Sequence, residues 1–146
     1  MNKKSLGIAC DHAGYEFKEK LKVELEKNGY VIKDYGTYSD ESADYPDFAH
    51  PLASAVENEE HIYGITLCGS GNGINMTANK HQGIRAALCW NVEIAELARL
   101  HNDANVCSIP ARFVDFDLAK QIVEIFLNTE FEAGRHIRRI NKIPLK

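Results

Sequence analysis

Five short runs rich in aliphatic and β-branched residues recur along the chain: SLGIA (5–9), YVIKDY (30–35), IYGITLC (62–68), IRAALCW (84–90) and ANVCSI (104–109). Helical patterns lie between them. Phe17, Leu21 and Leu25 repeat at four-residue spacing before an Asn28-Gly29 stop. Ile94, Leu97, Ala98 and Leu100 mark a second helix, and Leu118, Ile122, Val123, Ile125 and Phe126 a third. Strands that alternate with helices must be joined by crossovers, so they pair in parallel, and right-handed crossovers cover both faces of the sheet. The predicted architecture is a three-layer α/β/α, Rossmann-like, five-stranded parallel sheet with its strands in flavodoxin-like order. With 146 residues, 45% of them hydrophobic, and no linker or low-complexity segment, the chain forms one domain, 1–146. One long loop, 36–47, reads GTYSDESADYPD, and loops of that length in a compact domain usually serve function.

Charge and cysteine usage narrow the class. A net charge of −4 gives no general attraction to nucleic acid or an anionic membrane. The segment before Asp11 carries too few apolar residues for a signal-peptide core, and no run approaches spanning length, so the expected compartment is the cytoplasm. Cysteines stand at 10, 68, 89 and 107 with neither C-x-x-C nor zinc-ligand spacing. Reduced thiols are expected, and Cys10, Cys89 and Cys107 read as small buried hydrophobes.

In a sheet of this kind ligands bind beyond the carboxyl ends of the strands, where strand order reverses, between the loops after the first and third strands. Those loops are Cys10-Asp11-His12-Ala13-Gly14 and Cys68-Gly69-Ser70-Gly71-Asn72-Gly73. The second is no Walker loop, since Gly73 is followed by Ile74 and Asn75. It is no dinucleotide fingerprint either, because it follows the third strand and runs G-x-G-x-G. A C-x5-R phosphatase loop would need arginine at position 74. What remains is a thiol facing converging backbone N–H groups at the start of a helix, surroundings that can lower a cysteine pKa and hold a substrate oxyanion.

The other polar residues each have two readings. Asp11 can orient a hydroxyl or cap the helix from Tyr15. From Arg135 to Lys146 the chain carries five basic residues and no acid. Arg135 and Arg139, one turn apart, suit a phosphate or a solvated helix face. Arg112 follows the fifth strand, on the same edge as the two loops. His101-Asn102-Asp103 precedes that strand, at the wrong edge to reach Cys68 within one chain. It is either ordinary surface or part of a partner's site.

Taken together, CDHAG, DYPDFA, CGSGNG with ANK, GIRA, ARLHNDANV, PAR and EAGRHIRRI resemble the ribose-5-phosphate isomerases of the B type, in the group that also holds galactose-6-phosphate and allose-6-phosphate isomerases. The resemblance covers nearly the whole chain. It implies an aldose–ketose isomerase interconverting ribose 5-phosphate and ribulose 5-phosphate through a cis-enediolate, in the pentose phosphate pathway of carbohydrate metabolism, with Cys68 as base. Some members use a glutamate six positions later, where Ile74 stands here. Ser70 would pass a proton between O1 and O2, and the amides from Gly69, Ser70, Gly71, Asn72 and Gly73 would hold the enediolate. His101 would open the furanose ring and Asn102 bind the sugar from the neighbouring subunit. Asp11 and Tyr45 would line the pocket, and His12, Arg112, Arg135 and Arg139 would gather round the phosphate.

The resemblance further implies a homodimer with shared active sites, or a tetramer built on it. A C-terminal helix, about 131–142, would pack at the subunit interface. The chemistry needs no metal and no cofactor, and no nucleic acid or membrane partner is expected. Asn72, Asn75 and Arg138 depart from what relatives often carry. An isomerase of a hexose 6-phosphate stands as the alternative, beside a non-catalytic flavodoxin-like module that binds a nucleotide or sugar phosphate.

Overall fold

The computed structural model describes residues 4–145; residues 1–3 and Lys146, which complete the expected domain and its basic tail, lie outside them. The strands are β1 (Ser5–Cys10), β2 (Val31–Asp34), β3 (Tyr63–Cys68), β4 (Ala86–Leu88) and β5 (Val106–Pro110). The helices are α1 (Tyr15–Lys27), α2 (Pro46–Glu57), α3 (Asn72–Ala78), α4 (Val92–Asn102), α5 (Phe116–Asn128) and α6 (Arg135–Ile140). All pairings are parallel. Among the described residues no helix is long and apolar enough to cross a membrane.

The sheet order is β2-β1-β3-β5-β4, which corrects the expected flavodoxin-like order: the last two strands are exchanged. Burial explains the exchange. All five residues of β5 are buried, whereas the three of β4 are only partly so. A strand wet on one side belongs at the edge, and one apolar on both faces belongs inside. Leu21 and Leu25 of α1 join Ala95 and Ala98 of α4 and Ile122 and Phe126 of α5 in one core cluster, while Leu52 and Val56 of α2 and Ala78 of α3 form another. These clusters fill the two faces of the sheet.

Two local features set the ends that matter. Asn91 and Asp115 cap α4 and α5 by accepting from the N–H groups of Ile94 and Leu118, both at 2.8 Å. The C-terminal helix is shorter than the span 131–142, because Ala133 and Gly134 both have positive φ, at 63° and 60°, and no helix propagates through left-handed backbone.

A buried cation ties the edge strand β2 to α1. Lys18 is fully buried and donates to Asp34 Oδ2, and Lys22 donates to the same oxygen at 2.9 Å. Burial alone would raise the Asp34 carboxyl, but hydrogen bonds from Lys18, Lys22 and the Gly36 N–H carry it below the ordinary aspartate range. A depressed folded-state pKa gives stability that is present above the unfolded value and lost as pH falls through the folded one. Unfolding free energy from urea titrations is therefore expected to drop as pH is lowered below about 4. Asp34→Asn should be weaker at neutral pH and flatter in acid; parallel acid limbs for the two proteins would contradict the role given to this carboxylate.

Candidate active site

The parallel register sets the site. Cys10 pairs with Leu67, and Cys68 with Pro110, so the loops leaving β1, β3 and β5 emerge at one edge. Gly14 lies flat against β3: a methyl group there would come within 2.6 Å of Leu67 Cβ and 2.7 Å of its carbonyl oxygen. The Asp11 N–H donates to the Leu67 carbonyl at 3.2 Å, joining the two loops.

Cys68 closes β3 and is 4% exposed, packed with Ala49 and Ile74 in a small apolar cluster. Beyond it Gly71 turns the chain at φ 77° to start α3, where a side chain would meet Leu88 and the backbone of Pro110. Burial raises the thiol above its ordinary value; the N–H groups of Ile74, Gly71 and Gly73 pull it down and the Asp11 carboxylate pushes it up. The net direction is upward, which corrects the expectation of a lowered pKa. Dry apolar contact with Ala49 and Ile74 outweighs the loop amides. Cys10 is buried further, and its thiol is pushed up to about 12. All four cysteines are free and buried.

The remaining residues of this edge fall into place around the loop. Tyr45 covers Gly73, where any side chain would strike its ring, and the Arg112 guanidinium lies over Gly69, its Nη1 3.1 Å from where a methyl group would sit. The Gly69 carbonyl accepts from the Arg112 N–H at 3.0 Å. The Ser70 hydroxyl oxygen accepts from the Asn72 backbone N–H at 3.3 Å and its side-chain amide at 3.2 Å. His12 Nδ1 accepts from the Ala43 N–H at 3.2 Å, which leaves the ring proton on Nε2 and pins the long loop. Asp11 Oδ1 accepts from the N–H groups of Ala13 and Gly14, so its capping role is real.

His101, Asn102, Arg135 and Arg139 are not in this group. They gather at the opposite, amino edge. His101 ends α4, and its ring stacks on His136 of α6 at 4.4 Å between centroids. Val106, at the start of β5, pairs with Gly64, four residues before Cys68, so the stretch of β3 from Gly64 to Cys68, about 13 Å, separates the two edges. Arg135 and Arg139 are exposed on α6 beside His101. Arg99 builds this end: it is buried, lies over the Tyr63 ring at 4.7 Å, and donates to Asp103 Oδ1 at 2.8 Å, to the Ala104 carbonyl at 2.7 Å and to the Thr129 carbonyl at 3.0 Å. Sequence reasoning missed Glu132 and His136 as neighbours of His101; the only signal was their place beside the arginines. One chain therefore carries two separate groups of candidate residues, a thiol beside a glycine loop at one edge and a histidine with two guanidiniums at the other.

The chain matches the ribose/galactose isomerase family over residues 6–143. It is 41% identical over 140 residues to ribose-5-phosphate isomerase B of Escherichia coli, covering 96% of this chain and 94% of that one. Its fold superposes on a ribose 5-phosphate isomerase from Thermotoga maritima with a TM-score of 0.95 and 47% identity, covering 98% of this chain and 99% of that one. The enzyme of Mycoplasma genitalium, whose crystal structure holds ribulose-5-phosphate, gives a TM-score of 0.91 and 42% identity over 95% of this chain and 93% of that one.

The raised thiol has a measurable signature. Alkylation of Cys68 by iodoacetamide, followed on the peptide by mass spectrometry, is expected to climb with pH and show no plateau up to the ordinary cysteine value of about 8.5. A plateau near neutrality would mean that the amides win.

Proposed function

The chain belongs to the ribose/galactose isomerase family, and from that premise we propose that it interconverts ribose 5-phosphate and ribulose 5-phosphate with Cys68 as the base. The observation that carries the reading is a thiol at the end of β3 under three converging N–H groups, in a chain similar over nearly its whole length to sugar-phosphate isomerases. In the open-chain aldose, the Cys68 thiolate removes the C2 proton. The C–H pair becomes the C1–C2 double bond, and O1 becomes the enediolate oxygen held by the loop amides. Ser70, its oxygen already accepting from Asn72, has its hydroxyl proton to pass between O1 and O2. Return of the proton from sulfur to C1 gives the ketose. A raised thiol is scarce as thiolate but strong as a base, which suits abstraction from carbon.

Ring opening and phosphate binding need the group at the other edge. We place His101 and Asn102 of a second chain over Cys68, with its Arg135 and Arg139 joining His12 and Arg112 around the phosphate. Met76, Trp90 and Phe113, exposed on the segments that follow β3, β4 and β5, offer apolar surface that such an assembly could cover. Phosphate binding far from C2 fixes the reacting carbon against sulfur and so contributes to rate. Four free thiols fit a reducing compartment, the cytoplasm.

Cys68→Ala is expected to lose at least ~100-fold in turnover of ribose 5-phosphate while keeping its affinity for phosphate-bearing ligands, measured beside allose 6-phosphate to assign the sugar. Unchanged turnover would reject the base. Mixing inactive Cys68→Ala and His101→Asn chains under subunit exchange should restore about a quarter of wild-type activity, because half the dimers would then hold one intact site. No recovery would place both residues in one chain's site.

A further inference from the structure

His101 Nε2 and His136 Nε2 each stand 3.8 Å from Glu132 Oε2, and the three donor atoms lie within 4.8 Å of one another. His136 is 6% exposed, and its Nε2 is buried without a hydrogen-bond partner. A buried nitrogen left unpaired is costly and calls for a ligand that completes it. From these positions we infer that His101, Glu132 and His136 form a binding site for a divalent transition-metal ion, such as Zn2+, and that the ion, by occupying His101, switches off the isomerase.

The donor set fits the ion. Two neutral imidazole nitrogens and one carboxylate oxygen suit Zn2+, Co2+, Ni2+ and Cu2+, whereas Ca2+ and Mg2+ take sites built from oxygen. Ligands at about 2.05 Å from a tetrahedral zinc stand about 3.4 Å apart, so each histidine–carboxylate distance must close by about 0.4 Å and the histidine–histidine distance, within 4.8 Å, by at most about 1.4 Å. The groups that must move are free to do so, since the His101 and Glu132 side chains are 38% and 47% exposed. The near-parallel rings, 17° apart, must tilt towards a common centre. The remaining position stays open to water or to an anion.

The surroundings set the strength. Arg135 Nη1 faces Glu132 Oε1 at 3.7 Å, which leaves Oε2 for the metal, yet the guanidiniums of Arg135 and Arg139 oppose a second cation nearby. Occupancy is therefore conditional on free metal rather than permanent. A bound ion takes the Nε2 lone pair of His101 and the orientation of its ring, so the effect on turnover rests on the isomerase reading; binding itself does not.

Co2+ added to the metal-free full-length protein, followed by its visible d–d spectrum and by calorimetry, separates the two. One ion per chain is expected, with no sulfur-to-cobalt charge-transfer band. Affinity should fall at least tenfold in Glu132→Gln, an exposed change that leaves the core intact, and in His136→Gln, and should stay unchanged in His81→Gln, which removes one ring of a second histidine pair, His50 Nδ1 and His81 Nε2 2.8 Å apart. Zn2+ should inhibit wild-type turnover, reversibly with chelator, and Glu132→Gln should keep its basal turnover while losing that inhibition. Equal Co2+ binding by wild type, Glu132→Gln and His136→Gln, or no binding at all, would overturn the site. Binding as expected in a protein with no isomerase activity would leave the site standing and sink the isomerase reading instead.

Discussion

The register of β3 between β1 and β5 is the constraint on which the rest depends. Because Cys68 pairs with Pro110 and Leu67 with Cys10, three loops leave the sheet at the same height and in the same direction. The reversal of strand order between β1 and β3 opens a crevice there that no connecting helix can fill. Gly14 brings the first of these loops flush with β3. Tyr45 and Arg112 then stand over the glycines at 73 and 69, close because those residues lack side chains.

The thiol illustrates how opposing local effects are decided by packing. Three N–H groups aim at its sulfur, and by themselves they would favour the thiolate. Ala49 and Ile74 remove water from the other side, and removal of water wins. The position that holds Ile74 is thus more than a place where a carboxylate is missing: its apolar side chain keeps the sulfur dry. Dryness makes the charged form rarer and, once formed, more avid for protons.

The fold class was legible in the sequence because it follows from alternating periods, and each strand run lies on a strand. Strand order was not, since Ala86–Leu88 and Val106–Pro110 differ in burial, which depends on what packs across the sheet rather than on apolar content. The glycine loop could be placed beside Cys68 from chain order alone. The direction of the thiol's shift could not, because Ala49 comes from a helix on the far side of a long loop. The separation of His101 from Cys68 was readable from strand polarity. The company His101 keeps was not: His136 reaches it only because Ala133 and Gly134 break the chain into a short helix that turns back onto α4.

Arg99 has a consequence beyond holding two segments together. With its guanidinium against the Tyr63 and Phe126 rings and its donors on Asp103, Ala104 and Thr129, Arg99 holds the backbone at the end of α4 in place within a single chain, while the His101 and Glu132 side chains stay free to move. Under the pairing of chains proposed above, the entropy of ordering that backbone is already lost during folding and is not charged again on association. Under that pairing encounter would resemble a key entering a finished lock, limited by diffusion and orientation rather than by a slow rearrangement of this backbone.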